Sequence, residues 1–122
     1  NIFTGHKDGV NSVAIKDNLI VSGSFDGTVR VWNLETGELK HNFTDGVFTN
    51  GVAPVYGVDI DVRGNRIASG AYDGKVRVWN LETGELENTF TGHENWVMAV
   101  FIDGDRVFSG SMDGTIRIWD IE

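Results

Sequence analysis

The sequence predicts an all-β protein built from three copies of one four-stranded antiparallel unit. Three observations lead there. SGSFDGTVRVW (Ser22 to Trp32) returns as SGAYDGKVRVW (Ser69 to Trp79) and SGSMDGTIRIW (Ser109 to Trp119), and the tryptophans lie 47 and 40 residues apart. Apolar residues alternate at period two, as Val29 and Val31 do, and a helical spacing of three and four persists nowhere. Each copy carries an Asp-Gly turn, where glycine accepts the positive φ that a tight hairpin demands.

In the first unit Val10 to Ile15 reads as one strand and Leu19 to Ser22 as the next, with Asp17-Asn18 as the turn between them. Phe25-Asp26-Gly27 turns into a third strand, Thr28 to Trp32, and Glu35 to Glu38 turns into a fourth, Leu39 to Phe43. The second unit repeats this over Val55–Asp61, Arg66–Gly70, Lys75–Asn80 and Glu85–Phe90. It has five extra residues before Val55 and two more in the turn 61–65. The third unit has Trp96–Ile102, Arg106–Gly110 and Thr115–Asp120, with no fourth strand. Asn1-Ile2-Phe3-Thr4-Gly5-His6 matches Asn88 to His93 in frame, so Asn1, Ile2 and Phe3 are expected to be the end of such an outer strand.

Self-similarity near 40 residues, Gly-His ahead of the first and third units and Trp-Asn or Trp-Asp at the close of each resemble the WD40 repeat, one blade of a β-propeller. The resemblance implies three four-stranded antiparallel blades forming part of a ring. Expected divisions are 1–3 (outer strand completing a neighbouring blade), 6–43 (blade 1), 44–90 (blade 2, with an inserted loop at 45–54) and 91–122 (blade 3, lacking its own fourth strand). Propellers close with typically four to eight blades, so three leave the ring open. Two ways of closing it stand side by side: more blades in a larger propeller, or self-assembly, as a dimer giving six blades or a trimer giving nine. In the self-assembled case Asn1, Ile2 and Phe3 of one copy are expected to act as the clasp.

Net charge is −8, which repels phosphate backbones and argues against nucleic acid. No run of about 18 apolar residues marks a membrane span. Cysteine is absent, so no disulfide or thiolate metal site is expected, which fits an intracellular, cytoplasmic or nuclear setting. Asp59-Ile60-Asp61 begins like a calcium loop, but Arg63 and Gly70 occupy ligand positions, so neither metal nor cofactor is expected.

His6, Ser22, Asp26 and Trp32 recur with the same spacing as His93, Ser109, Asp113 and Trp119; the middle unit keeps Ser69, Asp73 and Trp79 but has no His. Ser, His and Asp together raise the possibility of a hydrolase, yet a catalytic set has no reason to recur beside a Trp. The resemblance implies a buried hydrogen-bond relay instead, with the indole N–H finding its acceptor in the Ser hydroxyl. Without His, the middle relay is expected to be incomplete, or completed by water, Thr49 or Asn50. His41 stands alone on an outer strand. Arg30, Arg77 and Arg117 share one position and are expected to form local ion pairs.

Phe25, Tyr72 and Met112 precede the turn Asp, and Tyr56, Trp96 and Met98 begin first strands, so all six are expected at one rim, the usual WD40 docking surface. Phe48 lies in the inserted loop, which is either a recognition element or tolerated surface length. The implied function is a non-enzymatic scaffold binding protein or peptide through the rim and channel mouth. The phrase SG(S/A)xDGxVRVW with LETGEL also resembles the WD40 part of F-box ubiquitin-ligase receptors, which implies the alternative of phosphopeptide recognition.

Overall fold

A computed structural model describes the backbone of residues 2–44, 47–48 and 51–121, with the side chains at 44, 47, 48, 51 and 52 left undescribed. Thirteen strands run in chain order: β1 (Val10–Lys16), β2 (Leu19–Ser24), β3 (Thr28–Asn33), β4 (Leu39–Thr44), β5 (Val47–Phe48), β6 (Gly51–Val52), β7 (Val55–Asp61), β8 (Arg66–Ala71), β9 (Val76–Asn80), β10 (Leu86–Phe90), β11 (Val97–Asp103), β12 (Arg106–Ser111) and β13 (Ile116–Asp120). Among the described residues there is no helix, and so none long and apolar enough to cross a membrane.

The strands form two four-stranded sheets, β1-β2-β3-β4 and β7-β8-β9-β10, a three-stranded sheet β11-β12-β13, and a β5-β6 ribbon. Every pairing is antiparallel, as short turns between successive strands require. At Gly27, Gly74 and Gly114 φ is near +80°, which fixes the Asp-Gly turn in all three units. In the inserted segment β5 and β6 pair antiparallel, Val47 with Val52 and Phe48 with Gly51.

Each sheet is apolar on both faces, so it must be covered twice. Val21, Val29, Val31 and Phe43 of the first sheet meet Val55, Val58, Ile60 and Ile67 of the second. Ala68, Val76 and Val78 of the second meet Val97, Val100 and Val107 of the third. Gly23 and Gly70 are glycine because the next blade comes so close. A Cβ there would stand 2.6 Å from Val55 Cγ1 and 2.5 Å from Val97 Cγ1. Tryptophan is fastened from the preceding blade: Phe43 stacks on Trp79 and Phe90 on Trp119, each with ring centres 5.2 Å apart.

Phe3 lies against Trp32 at 5.9 Å but edge-on, and neither Ile2 nor Phe3 is in a strand; Asn1 falls outside the described residues. His41 is not alone: its ring packs on Phe43 at 5.4 Å.

Ile67 is fully buried between the first two blades. Ile67→Ala is expected to destabilise the fold by about 2–5 kcal/mol, the usual cost of a core cavity, read as a drop in urea midpoint at unchanged slope.

Candidate functional site

Two constellations stand out: the relay inside each blade and the aromatic rim. In blade 1 the Trp32 indole donates to Ser22 Oγ at 3.0 Å, Ser22 lies 2.6 Å from His6 Nε2, and His6 Nδ1 lies 3.1 Å from Asp26 Oδ2. A carboxylate only accepts, so Nδ1 carries the hydrogen and Nε2 receives the Ser22 hydroxyl. Blade 3 repeats the chain, with distances of 2.8, 2.7 and 3.0 Å through Trp119, Ser109, His93 and Asp113.

The arrangement resembles a hydrolytic triad in its His and Asp but not in its Ser. Ser22 and Ser109 are buried, and each already accepts an indole N–H. What the relay can do chemically is hold strands together.

Thr28 and Thr115 belong to the relay, though their types alone did not mark them. Their hydroxyls donate to Asp26 and Asp113 at 2.6 Å and also lie near His Nδ1. A signal was present: Thr follows Asp-Gly in the two units with His, and Lys75 stands there in the unit without it. Burial pushes the Asp26 carboxyl up, but hydrogen bonds from the Thr28 hydroxyl, the Lys7 and Thr28 amides and His6 outweigh it and hold it well below 3.8. At Asp113 the Thr115 hydroxyl leads, burial opposes it, and the Glu94 amide, His93 and the Thr115 amide complete a net lowering.

In blade 2 Trp79 donates to Ser69 at 3.0 Å as elsewhere. The position left by His is handled by Arg77, whose guanidinium grips Asp73 through Nη2 at 2.6 Å and Nη1 at 3.3 Å. Both side chains are buried. Among the described residues no hydrogen bond joins Ser69 to Asp73, so the relay is interrupted between serine and aspartate, in line with the expectation of an incomplete one; Thr49 and Asn50 lie outside the described residues. Of the three equivalent arginines, Arg77 makes the expected ion pair. Arg30 instead donates to Thr28 Oγ1 at 3.4 Å, and Arg117 lies over the Trp119 ring at 5.9 Å.

At the rim the structure brings Phe25, Tyr56, Tyr72 and Trp96 into one cluster. Phe25 meets Tyr56 at 5.8 Å, Tyr56 stacks on Trp96 at 5.5 Å, and Tyr72 meets Trp96 at 4.8 Å. Two backbone devices build it. A bond from the residue before the turn Asp back to the first strand's approach (Phe25 to Gly9, Tyr72 to Pro54, Met112 to Trp96, each 2.9 Å) sets these side chains at the rim. In addition, each first strand carries a β-bulge at one position, which leaves Asn11, Tyr56 and Met98 out of the ladder and re-aims them. The bulge was not legible in the sequence, because an alternating run reads the same with or without it. Asn11 uses its freedom to donate to the Val55 carbonyl at 2.9 Å, and Tyr56 uses it to stack.

Burial, then the neighbouring Tyr72, raises the Tyr56 phenol, so it stays a hydrogen-bond donor. Phe25 and Tyr72 of the cluster remain exposed, and so do Met98 and Met112. The Phe48 side chain lies outside the described residues. No three His, Asp or Glu groups assemble as a metal site among the described residues.

The comparisons with known proteins agree with this geometry. The family profile for the WD domain, G-beta repeat, matches residues 1–33, 40–80 and 84–120. The chain is 56% identical over 39 residues to the WD repeat-containing protein pop2 of Schizosaccharomyces pombe, which is 32% of this chain and 6% of that protein. It is 40% identical over 43 residues, 35% of this chain and 6% of that protein, to the probable E3 ubiquitin ligase complex SCF subunit sconB of Talaromyces marneffei. Among solved structures it is similar to the computationally designed protein Ika8, with TM-score 0.80 and 35% identity over 98% of this chain and 35% of that one. It shares the fold of U3-55K at TM-score 0.87 and 24% identity, over 99% of this chain and 38% of that one. The chain thus spans about 6% of the length of these curated relatives and little more than a third of the solved neighbours.

Two outcomes follow. With Asp26 and Asp113 depressed in the fold, their stabilisation is complete above the unfolded carboxyl value near 3.8 and is lost as pH falls below it toward the folded value. Urea midpoints are expected to fall below pH 4, and Asp26→Asn with Asp113→Asn to flatten that acid limb. Arg77→Met, which strands the buried Asp73 carboxylate, is expected to cost about 3–5 kcal/mol and more than Arg117→Met in the same assay. Three blades with this frame, two complete relays and a family match along nearly the whole length place the chain in the WD40 repeat family.

Proposed function

We propose that this chain is a non-enzymatic interaction scaffold that binds a protein or peptide at its aromatic rim. Its blades form an arc of a ring that further blades complete, supplied by its own copies or by the rest of a larger propeller. The observation that carries the reading is the Phe25–Tyr56–Tyr72–Trp96 cluster, four contiguous rings of which Phe25 and Tyr72 are exposed, with the exposed Met112 bonded through its amide to the Trp96 carbonyl. Aromatic and Met side chains gathered on a rigid surface are the usual composition of a protein-binding hot spot. The buried, doubly bonded serines support a structural relay and not a nucleophile. The net charge of −8 supports protein over nucleic acid.

A second reading, recognition of phosphorylated peptides, is favoured by the ubiquitin-ligase subunit among the relatives, which also supports a cytoplasmic or nuclear setting. Phosphate recognition draws on Arg forks. Here Arg30 and Arg77 are buried within their blades and Arg117 lies along Trp119, which supports unmodified ligands over phosphorylated ones.

Selection from a displayed peptide library, followed by titration of the enriched peptides, tests both readings. Tyr72→Ala is expected to weaken the selected peptides by about tenfold or more, the scale of a hot-spot residue, while Glu35→Ala leaves them unchanged. Enrichment that ignores Tyr72→Ala would remove the rim from consideration. A consistent preference for phosphorylated peptides would install the second reading in place of the first.

A further inference from the structure

β1, β7 and β11 are the first strands of the three sheets, each an edge of its own sheet, and β7 lies between the other two. Together they bound a cavity of about 410 Å³, within the usual range of ligand sites. Side chains stitch these edges together where blade meets blade. Asn11 donates to the Val55 carbonyl at 2.9 Å, and the Val58 amide donates to Ser12 Oγ at 3.3 Å. Nearly all of the lining is small or apolar, including Ala14, Gly57, Met98 and Ala99. Asp59 is the one charged residue that lines it.

This carboxylate has acceptor capacity that the fold does not use. Its Oδ1 accepts the Ile60 amide and its Oδ2 the Ile102 amide, both at 2.9 Å. An ionised carboxylate offers about four acceptor sites, so about two remain open. Among the described residues no cationic side chain pairs with it. The equivalent positions hold Ala14 in blade 1 and Phe101 in blade 3, so the repeat folds without a charge there. Asp59 belongs to the middle blade, with blade 1 on one flank and blade 3 on the other.

A half-buried carboxylate without a counter-ion, on a wall that is otherwise apolar, suits one kind of group: a cation carried on an apolar stem. Lysine and arginine side chains have that form. Phosphate and acidic side chains are repelled. The rim leads into the cavity, because Tyr56 of the aromatic cluster is followed by Gly57 of the lining, and the exposed Met98 lines it directly.

We infer that a peptide bound at the rim places one lysine or arginine side chain in this cavity, its stem along Met98 and Ala99 and its charge at Asp59. This rests on the rim reading and names the chemistry that a rim ligand carries. The net charge of −8 adds long-range attraction for the same basic ligands.

The probes are a displayed library of random peptides and synthetic forms of the peptides it yields. Selection on wild type is expected to return peptides that share one Lys or Arg. Replacing that residue by a neutral side chain of like length, norleucine for Lys or citrulline for Arg, is expected to weaken binding to wild type by about tenfold or more. On Asp59→Asn the same replacement is expected to cost nothing further. Asp59→Asn keeps one acceptor oxygen for the strand-edge amides, and circular dichroism with a urea midpoint confirms its fold. Ala99→Lys, at an exposed position of the same wall, leaves both Asp59 bonds in place and gives the carboxylate a cation of its own. It is expected to weaken the basic peptides as Asp59→Asn does.

Selected peptides without a shared basic residue, an equal loss from the neutral peptide on Asp59→Asn, or undiminished binding to Ala99→Lys would each overturn the inference. Tyr72→Ala keeps the two readings apart. Peptides that respond to Tyr72→Ala but not to Asp59→Asn remove the cavity alone, and peptides that respond to Asp59→Asn but not to Tyr72→Ala remove the rim alone.

Discussion

A blade cannot bury both of its faces by itself, and the rest of this structure depends on that constraint. Four short strands make a sheet with apolar side chains above and below, and a lone sheet of this kind has too little core to stand in water. Stability therefore comes from stacking, which sets strict terms for the stacked residues. The second strand has glycine where the next blade's valine arrives, and the third alternates valine or isoleucine with arginine. The outer strand ends in a phenylalanine that lies on the following tryptophan.

The relay answers a second requirement. Trp must be buried to receive that phenylalanine, yet its indole N–H must still find an acceptor. Ser provides one and passes the demand to His, and His passes it to an Asp fixed by backbone amides and a Thr hydroxyl. The middle blade shows that the first link and the last are separable. Trp79 and Ser69 keep their bond, while Asp73 exchanges imidazole for the guanidinium of Arg77. An imidazole–carboxylate hydrogen bond becomes a buried guanidinium–carboxylate ion pair, which is more costly to break and less tolerant of truncation.

Much of this was legible in the residues. Strand order, turn positions and the two complete relays follow from spacing and residue type, because repeats report the same physics three times. Strand ends shift by one or two residues, as at β2, which runs on through Ser24. Three things were hidden. Arg77 has the same type and position as Arg30 and Arg117, and the missing His of its unit marked Asp73 as short of a partner without naming Arg77 as the replacement. The β5–β6 pairing is too short to leave a period. The bulge at Asn11, Tyr56 and Met98 changes which way a side chain points without changing the alternation around it.

That bulge has a consequence for how such a surface diversifies. A residue outside the ladder contributes little to register, so selection on the fold leaves it largely unconstrained. Asparagine, tyrosine and methionine occupy this bulge position in three blades whose third strands are nearly identical. A lineage of such repeats could rewrite its outward chemistry at one coordinate per blade, as a lock changes its pins, while duplicated blades continue to fit one another.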